Sequence, residues 1–395
     1  MVLKSQFKKL FAKVNPNYRY LSYILNNLTD ISKQFNDRIK TLVDQQQELS
    51  NLYIDNLSKL EKQHKQILAD VQSCCRNSEN LHNYGRLQGV MSKGSDSYKS
   101  YVLSHNMPEI LTKMRAGFDQ QSNDLLDNLL LRIMHWPDVN DKFDTLVNSK
   151  QLQSWILPAE IMIKRQYEQE KCEYLEKYDL LGMWHNPDVF TCHHGLRSTS
   201  NKLKAYIKSK DFIDGGAYIG DSVLALREYG FHKSYSFEIS RRNCELYRLV
   251  MQANNVSVNK YELINKGLFS YSTSINMNDR AGQGANLMEY GSSEVKTVAL
   301  DDIVKEKSAK PGFIKYDLEG ACLDGVKGMR QTLIDFRPVL SLAIYHSPIE
   351  FFEVKPLLDD YLSNLDYRIE LKLFSSSIDL FADVFLFAYP RELGD

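Results

Sequence analysis

From Thr191 onward, short apolar runs alternate with helical patterns, and this alternation limits the fold more than any other feature. Strands that alternate with helices form βαβ units, in which neighbouring strands run parallel. The spacing predicts helices between the first two strands and after Ser240, Gly320 and Pro348. The candidate strands are residues 211–214, 234–239, 261–265, 313–317, 339–345, 367–373 and 383–389. The sequence therefore predicts an α/β domain with a mostly parallel sheet.

The last two candidate strands, residues 367–373 and 383–389, are too close in sequence for a helix between them. A parallel connection needs such a crossover, whereas an antiparallel pair does not. We therefore expect a Rossmann-like, doubly wound sheet that carries an antiparallel terminal strand.

The N-terminal part has a different texture. Residues 21–71 contain almost no Gly or Pro, and apolar residues recur in steps of three and four, which predicts a long coiled-coil helix. Gln46 and His64 interrupt its apolar seam. Because such a stripe must be buried, we expect a homo-oligomer formed through residues 21–71. The alternative is that the stripe packs on helices of the same chain.

Residues 76–190 show further helical patterns, at 107–118, 122–134 and 158–178, and no motif that indicates chemistry. These changes in sequence pattern predict that the chain has three parts. They are an amphipathic start with the coiled-coil helix at 1–75, a helical domain at 76–190 and the α/β domain at 191–395.

Charge and cysteine content exclude several classes of protein. The formal net charge is −1, so no global basic field draws the chain to nucleic acid. The six cysteines form no C-x-x-C pair, which favours reduced thiols and a cytoplasmic protein. The basic, amphipathic residues 1–14 lack the apolar core of a signal peptide. They are typical of a short solvated helix, but peripheral contact with the inner membrane stays open.

The segment DFIDGGAYIGDS predicts a ligand-binding turn. An apolar strand leads into Asp214, Gly216 and Gly220, and a helix follows. Glycine lets a ligand approach the backbone closely, and a helix N-terminus attracts negative groups. The spacing differs from G-x-G-x-x-G, so a dinucleotide is disfavoured. A purely structural turn is the alternative interpretation.

Glu238, in the run SYSFEIS, ends the second candidate strand about 20 residues after the glycines. A nucleotide-binding fold places an acid there to accept hydrogen bonds from ribose hydroxyls, and this acid would repel a 2′-phosphate. The alternative is a surface carboxylate at a strand end. Together with the glycine-rich turn, Glu238 predicts a nucleoside-containing cofactor.

A third cluster of polar residues follows the next strands. Asp317 and Glu319 end the run FIKYDLEGA, and His346 ends LAIYHSP. Each is a candidate base for removing the proton of an acceptor hydroxyl. Alternatively, Glu319 caps a helix while Asp317 pairs with Lys315. The three could also hold a divalent metal, but no independent ligand signature supports this, and we expect no metal.

These motifs, taken in order, resemble the FkbM-type methyltransferases over about residues 194–390. The resemblance rests on HHGL, KDFIDGGAYIGDS, YSFEIS, NKGLFS, VALDDI, FIKYDLEGA and LAIYHSP. It implies the class I methyltransferase fold and S-adenosylmethionine as methyl donor. It also implies O-methylation, often of a sugar hydroxyl in a bacterial surface glycan or related glycoconjugate.

The resemblance also implies roles for individual residues. Asp317, Glu319 and His346 would face the reaction centre as catalytic residues. The residues that would bind the cofactor are Asp214, Gly216, Ala217, Tyr218, Gly220, Asp221, Glu238, Ile239, Asn265, Gly267 and Leu268. Two departures matter: Cys322 stands where the family commonly has Glu, and Asn265 with Lys266 replaces an acid that many class I methyltransferases direct at adenine.

Two hypotheses follow. The first is an S-adenosylmethionine-dependent O-methyltransferase whose partner is a glycan or another hydroxyl-bearing acceptor. The alternative is a catalytically inactive coiled-coil scaffold that keeps the methyltransferase fold. Retention of the acids at the predicted site favours the enzyme.

Overall fold

A computed structural model describes residues 97–135, 158–183, 185–278, 286–287, 293–374 and 383–394. The predicted amphipathic start (1–14) and coiled-coil helix (21–71) lie outside these residues. Membrane contact through the start and oligomerisation through the helix therefore stay predictions. Among the described helices, none combines the length and apolar character needed to span a bilayer.

A seven-stranded sheet forms the centre of the structure, with the strand order β10-β11-β9-β8-β1-β2-β3. The strands of the chain are β1 Asp211–Gly215, β2 Ser234–Phe237, β3 Tyr261–Ile264, β4 Gly267–Leu268, β5 Ser274–Asn278, β6 Asn286–Leu287, β7 Ser293–Val298, β8 Pro311–Tyr316, β9 Val339–Ala343, β10 Tyr367–Leu373 and β11 Val384–Pro390. Strand β11 runs antiparallel to both of its neighbours, and the other pairings are parallel. This arrangement confirms the predicted class I methyltransferase fold.

Helices cover the sheet, which is why strands such as β1 and β8 are buried along their whole length. The helices are α1 Met107–Arg115, α2 Gln120–His135, α3 Pro158–Lys177, α4 Asp188–Cys192, α5 Asn201–Ile207, α6 Asp221–Ala225, α7 Arg241–Ala253, α8 Leu300–Lys307, α9 Cys322–Lys327, α10 Arg330–Phe336 and α11 Pro348–Leu362. Serine caps start three of them: Ser200 accepts from the Leu203 nitrogen, Ser240 from the Asn243 nitrogen, and Ser347 from the Glu350 nitrogen.

The helices before the α/β part pack directly on it. The Ser122 hydroxyl, on α2, accepts a hydrogen bond of 3.0 Å from the backbone nitrogen of Leu371 in β10. Arg368 of β10 lies 2.7 Å from Asp119, and the Tyr98 hydroxyl, in helical residues 97–104, donates to the Tyr345 carbonyl. The proposed boundaries at 75/76 and 190/191 stay predictions.

Several elements were not predicted. A smaller sheet with the order β4-β7-β5-β6 follows β3, helices α4 and α5 precede β1, and helix α8 precedes β8. In the smaller sheet, Met277 pairs with Leu287 and with Ser293. Strands as short as two residues carry too little periodicity to be predicted.

Candidate active site

A cavity opens at the carboxyl ends of β1, β2 and β8, where the strand order reverses between β1 and β8. Open α/β sheets bind their ligands at this position. The cavity is lined by Asn186, Asp188, Val189, His194, Gly216, Tyr218, Asp221, Ser222, Phe237, Glu238, Ile239, Asn243, Lys266, Gly267, Leu268, Lys315, Asp317, Leu318, Glu319, Ala321, Tyr345, Phe374, Asp383 and Phe385. Both predicted groups of polar residues therefore reach one crevice.

Gly216 fixes the turn between β1 and the following helix. Its φ angle is +76°, and a Cβ atom there would lie 1.9 Å from the backbone oxygen of Asp317. The backbone nitrogens of Gly216 and Ala217 both donate to the carbonyl of Phe237, at 3.0 and 2.9 Å. Glycine is therefore required because the chain passes the ends of β2 and β8 closely. The same residue also lines the cavity.

The other predicted turn residues divide into two groups. Tyr218 and Asp221 line the cavity, and burial raises the pKa of Asp221 to about 7. Asp214 and Ala217 are completely buried behind the turn. Gly220, with φ at +84°, packs against Tyr247 and Met251 of α7. Contact between these last three residues and a cofactor stays a prediction.

The Lys315 side chain binds the turn at Asp214 and Gly216, a role that the sequence did not reveal. Its buried Nζ lies 3.2 Å from Asp214 Oδ1 and donates to the Gly216 carbonyl at 2.8 Å. Burial lowers the pKa of Lys315, but Asp214, Asp317 and Asp221 together raise it above the usual value. Lys315 is therefore charged, and its ion pair is with Asp214.

Glu238 lies at the end of β2 and lines the cavity with only 6% of its surface exposed. The alternative of a surface carboxylate is therefore wrong. Its Oε2 accepts from the Tyr218 nitrogen at 2.8 Å, and its Oε1 accepts from the Ser240 nitrogen at 2.7 Å. Burial raises the pKa of Glu238 to about 7, although both backbone bonds act in the opposite direction. The Asn243 side chain also hydrogen-bonds to this carboxylate, which leaves one lone pair for a ligand.

The predicted adenine surroundings also lie at this edge. Ile239, Gly267 and Leu268 line the cavity together with Lys266. The Asn265 side chain instead donates to the carbonyls of residues 238 and 239, at 2.8 and 2.9 Å. Asn265 therefore fixes the backbone after β2, and its predicted contact with adenine remains a prediction.

Asp317, Glu319 and His346 converge on one point, as the sequence predicted. His346 Nε2 lies 3.1 Å from Asp317 Oδ1 and 3.7 Å from Glu319 Oε2. Asp317 and Glu319 lie beyond the strand, because β8 ends at Tyr316, so the alternation of side chains along a strand does not place them on one side. Instead, Glu319 has a left-handed backbone with φ at +51°, and this turn brings its carboxylate back to Asp317.

The mutual charges shift the pKa values of all three groups. Burial lowers the pKa of His346, but the carboxylates of Asp317, Glu350 and Glu319 raise it well above the usual value. Burial raises the pKa of Asp317, but His346 and then Lys315 bring it down to about 2. Burial is the largest cause that raises the pKa of Glu319 to about 7. In the free protein at neutral pH, His346 therefore carries a proton.

Glu350 belongs to the same cluster, and sequence reasoning missed it. Its Oε2 lies 3.5 Å from His346 Nδ1, and its Oε1 accepts from the Cys322 nitrogen at 2.7 Å. Only 1% of Glu350 is exposed. The signal was the i, i+4 spacing from His346 across the capping residue Ser347, since residues four apart share a helix face.

Two histidines before the domain, His193 and His194, have structural contacts. His194 is buried, and its Nε2 lies 2.9 Å from the Ser222 hydroxyl. His193 Nδ1 lies 2.9 Å from the Tyr229 hydroxyl. His194 nevertheless lines the cavity, together with its hydrogen-bond partner Ser222.

The arrangement of turn, acid and cluster can be compared with known families. The family described as "Methyltransferase FkbM domain" matches residues 214–369, a range that begins at Asp214 and includes Glu238, Asp317, Glu319 and His346. These residues form an FkbM methyltransferase domain. The predicted family and the prediction of a methyltransferase are thereby confirmed for the FkbM domain. Among curated proteins, none matches the chain.

Solved structures similar to this chain include three methyltransferases. The FkbM methyltransferase of Methylobacillus flagellatus KT is 18% identical, with 74% of this chain and 61% of that chain covered and a TM-score of 0.48. A Streptococcus mutans methyltransferase in complex with SAH is 13% identical (48% and 93% covered, TM-score 0.31). The Bacillus cereus O-methyltransferase in complex with SAH is 12% identical (61% and 96% covered, TM-score 0.32). This chain thus spans about three fifths of the Methylobacillus protein.

Proposed function

We propose that the FkbM domain transfers a methyl group from S-adenosylmethionine to a hydroxyl oxygen of a sugar in a bacterial surface glycan or related glycoconjugate. One observation carries the proposal. A single cavity holds both a buried acid at the end of β2 and two acids of the Asp317, Glu319 and His346 cluster. The first fits a ribose, and the second fits the proton chemistry that an alcohol requires.

Glu238 is the residue proposed to hold the cofactor. Two backbone hydrogen bonds and one from the Asn243 side chain fix the carboxylate, so the remaining lone pair points in a set direction. An ionised carboxylate with such fixed geometry accepts a ribose hydroxyl better than a mobile one, because no side-chain entropy is lost on binding. Gly216 keeps the neighbouring turn close to the strand ends.

The cluster is proposed to handle the acceptor proton. An alcohol is a weak nucleophile until its proton is removed. In the transfer, the acceptor O–H bond breaks and its proton passes to a carboxylate. The oxygen forms a bond to the methyl carbon, and the carbon–sulfur bond breaks to leave S-adenosylhomocysteine. Glu319 suits the proton-accepting role, because a base works best when its pKa lies near neutrality.

Calorimetric titration with S-adenosylmethionine tests the cofactor. We expect saturable binding by the wild type, and Glu238→Gln is expected to weaken it at least tenfold. Glu262→Gln is a matched control, because this acid lies on β3 and pairs with Lys233 and Lys307 outside the cavity. Equal loss in both variants, or no binding by the folded wild type, would contradict the proposal.

Methyl transfer is tested with radiolabelled cofactor and glycan fractions. A sugar ether keeps its label in mild alkali, whereas a carboxyl ester releases it as methanol. We expect alkali-stable label that disappears in Glu319→Gln, while this variant still binds cofactor. Cofactor binding without turnover on any glycan would instead support the inactive scaffold.

The remaining partners are proposals of the same kind. A cytoplasmic location and the absence of a nucleic-acid partner rest on charge and cysteine content alone. Homo-oligomerisation rests on the pattern of residues 21–71. Sedimentation of the full chain and of a chain without residues 1–75 tests it: an unchanged assembly would refute the coiled-coil contact.

A further inference from the structure

We propose that Asp317, Glu319 and His346 form a binding site for one divalent cation, which would also hold the acceptor hydroxyl. The inference rests on the proposed function only for the role of the acceptor. The cation site itself follows from the distances, burial and charge of the cluster.

The distances fit ligands of a shared ion. Atoms at about 2.1 Å from one cation and about 90° apart lie about 3.0 Å from each other, and wider angles give longer separations. The measured separations from His346 Nε2 are 3.1 Å to Asp317 Oδ1 and 3.7 Å to Glu319 Oε2. One ligand atom from each residue lies within 4.8 Å of the others.

Direct hydrogen bonds do not explain these separations. Within the described part of the chain, Asp317 Oδ1 and both ring nitrogens of His346 are buried and make no hydrogen bond of acceptable geometry. The side chain of His346 is only 11% exposed, so water does not compensate. Buried polar atoms without partners are rare, and an absent ion is one accepted cause.

A third carboxylate, that of Glu350, lies next to the other ring nitrogen of His346. Glu350 Oε2, which also lacks a hydrogen bond among the described residues, lies 3.5 Å from Nδ1. Metal-bound histidines usually donate their other ring N–H to a carboxylate, and this contact fixes the tautomer that presents Nε2 to the ion. Glu350 is itself held by the Cys322 nitrogen. It is therefore a positioning residue.

The charges also favour a cation. Asp317, Glu319 and Glu350 place three carboxylates around one imidazole in a mostly buried site. The nearby Lys315 is committed to Asp214 and the Gly216 carbonyl. Buried charges that lack counter-charges are strongly unfavourable, and a divalent ion would balance this excess.

The ligand set indicates the kind of ion. Two carboxylates and one imidazole suit a hard or borderline cation such as Mg²⁺ or Mn²⁺, with coordination positions left for water or substrate. Since Asp317 and Glu319 line the cavity, these open positions face it. A cation there would lower the pKa of a bound hydroxyl and orient its oxygen. Glu319 would then act as a ligand, and the role of base proposed for it applies to the site without the cation.

The test uses Mn²⁺ with chelator-treated, full-length protein. Titration followed by electron paramagnetic resonance is expected to show one Mn²⁺ per chain. Asp317→Asn and His346→Gln should each weaken binding by more than tenfold, and Glu350→Gln should weaken it by roughly tenfold. Glu353→Gln is the matched control, because this acid is on the same helix but exposed.

A spectroscopic signature separates a ligand from a merely structural residue. Electron spin-echo modulation should show coupling of Mn²⁺ to an imidazole nitrogen, and His346→Gln should abolish it. Binding of labelled S-adenosylhomocysteine is measured on the same samples without Mn²⁺. Cofactor binding without saturable Mn²⁺ binding would overturn the cation site alone, as would Mn²⁺ binding that survives all three substitutions. Loss of cofactor binding in the wild type would instead refute the proposed function.

Discussion

Affinity for the cofactor should depend on pH through Glu238. The ribose hydroxyls are donors, so they need an ionised carboxylate, and the pKa of this group is about 7. The ionised fraction is about one tenth at pH 6 and about nine tenths at pH 8, which predicts an affinity about tenfold higher at pH 8. That factor corresponds to about 1.4 kcal/mol of binding free energy.

Equilibrium dialysis with labelled S-adenosylhomocysteine from pH 6 to pH 8 measures this effect. The ligand and the neighbouring Asp221 also titrate, so the wild-type profile alone is ambiguous. Glu238→Gln retains those other contributions, and the difference between the two profiles belongs to Glu238. An Asp221→Asn variant should keep the difference. Identical pH profiles for the wild type and Glu238→Gln would refute the reasoning.

A rise in pH, which strengthens cofactor binding, should lower the stability of the ligand-free protein through the same pKa shift. The folded-state pKa of Glu238 is raised above its ordinary value of 4.5, so the folded state holds the proton more tightly. The stabilising contribution is complete below about pH 4.5 and is lost as the pH rises through about 7. The difference between these two pKa values corresponds to about 3 kcal/mol of unfolding free energy. Urea unfolding at pH 5 and pH 8 measures this change in stability.

Two further predictions concern the turn. Lys315→Met should lower the free energy of unfolding by about 3–5 kcal/mol, because it leaves the Asp214 carboxylate buried without its cation. The double variant Asp214→Asn/Lys315→Met should recover part of this in urea unfolding, and no recovery would argue against the ion pair. Gly216→Ala should cost far more stability than Gly117→Ala. Both residues have similar positive φ angles, but only at 216 would the added Cβ meet backbone, the oxygen of Asp317. Equal melting temperatures would show that the close approach does not matter.

Much of this fold could be predicted because its strands are long apolar runs separated by helical patterns. The antiparallel ending followed from the short connection between β10 and β11 alone. The small sheet escaped prediction because β4 and β6 have two residues each. Periodicity needs several residues, and pairing between short strands depends on contacts that are distant in sequence.

The candidate site also contains some residues that could be predicted from the sequence and others that could not. Glu238 could be predicted because one fold rule fixes an acid at the end of β2. The convergence of Asp317, Glu319 and His346 was predicted from their positions after neighbouring strands, whereas the left-handed turn at Glu319 that brings its carboxylate back to Asp317 was not. The buried partner Glu350 was missed because its i, i+4 spacing from His346 does not by itself distinguish a buried helical glutamate from an exposed one.

The contact between α2 and β10 limits how the protein can be divided. Strand β10 lies at the outer margin of the central sheet, where unpaired backbone groups would serve as a template for another chain. Helix α2 covers that margin, and Ser122 occupies the backbone nitrogen of Leu371. A fragment that starts at residue 191 would lose this cover. We therefore expect such a fragment to aggregate through strand addition. In the longer chain, helix α2 prevents this by covering the edge strand of the central sheet.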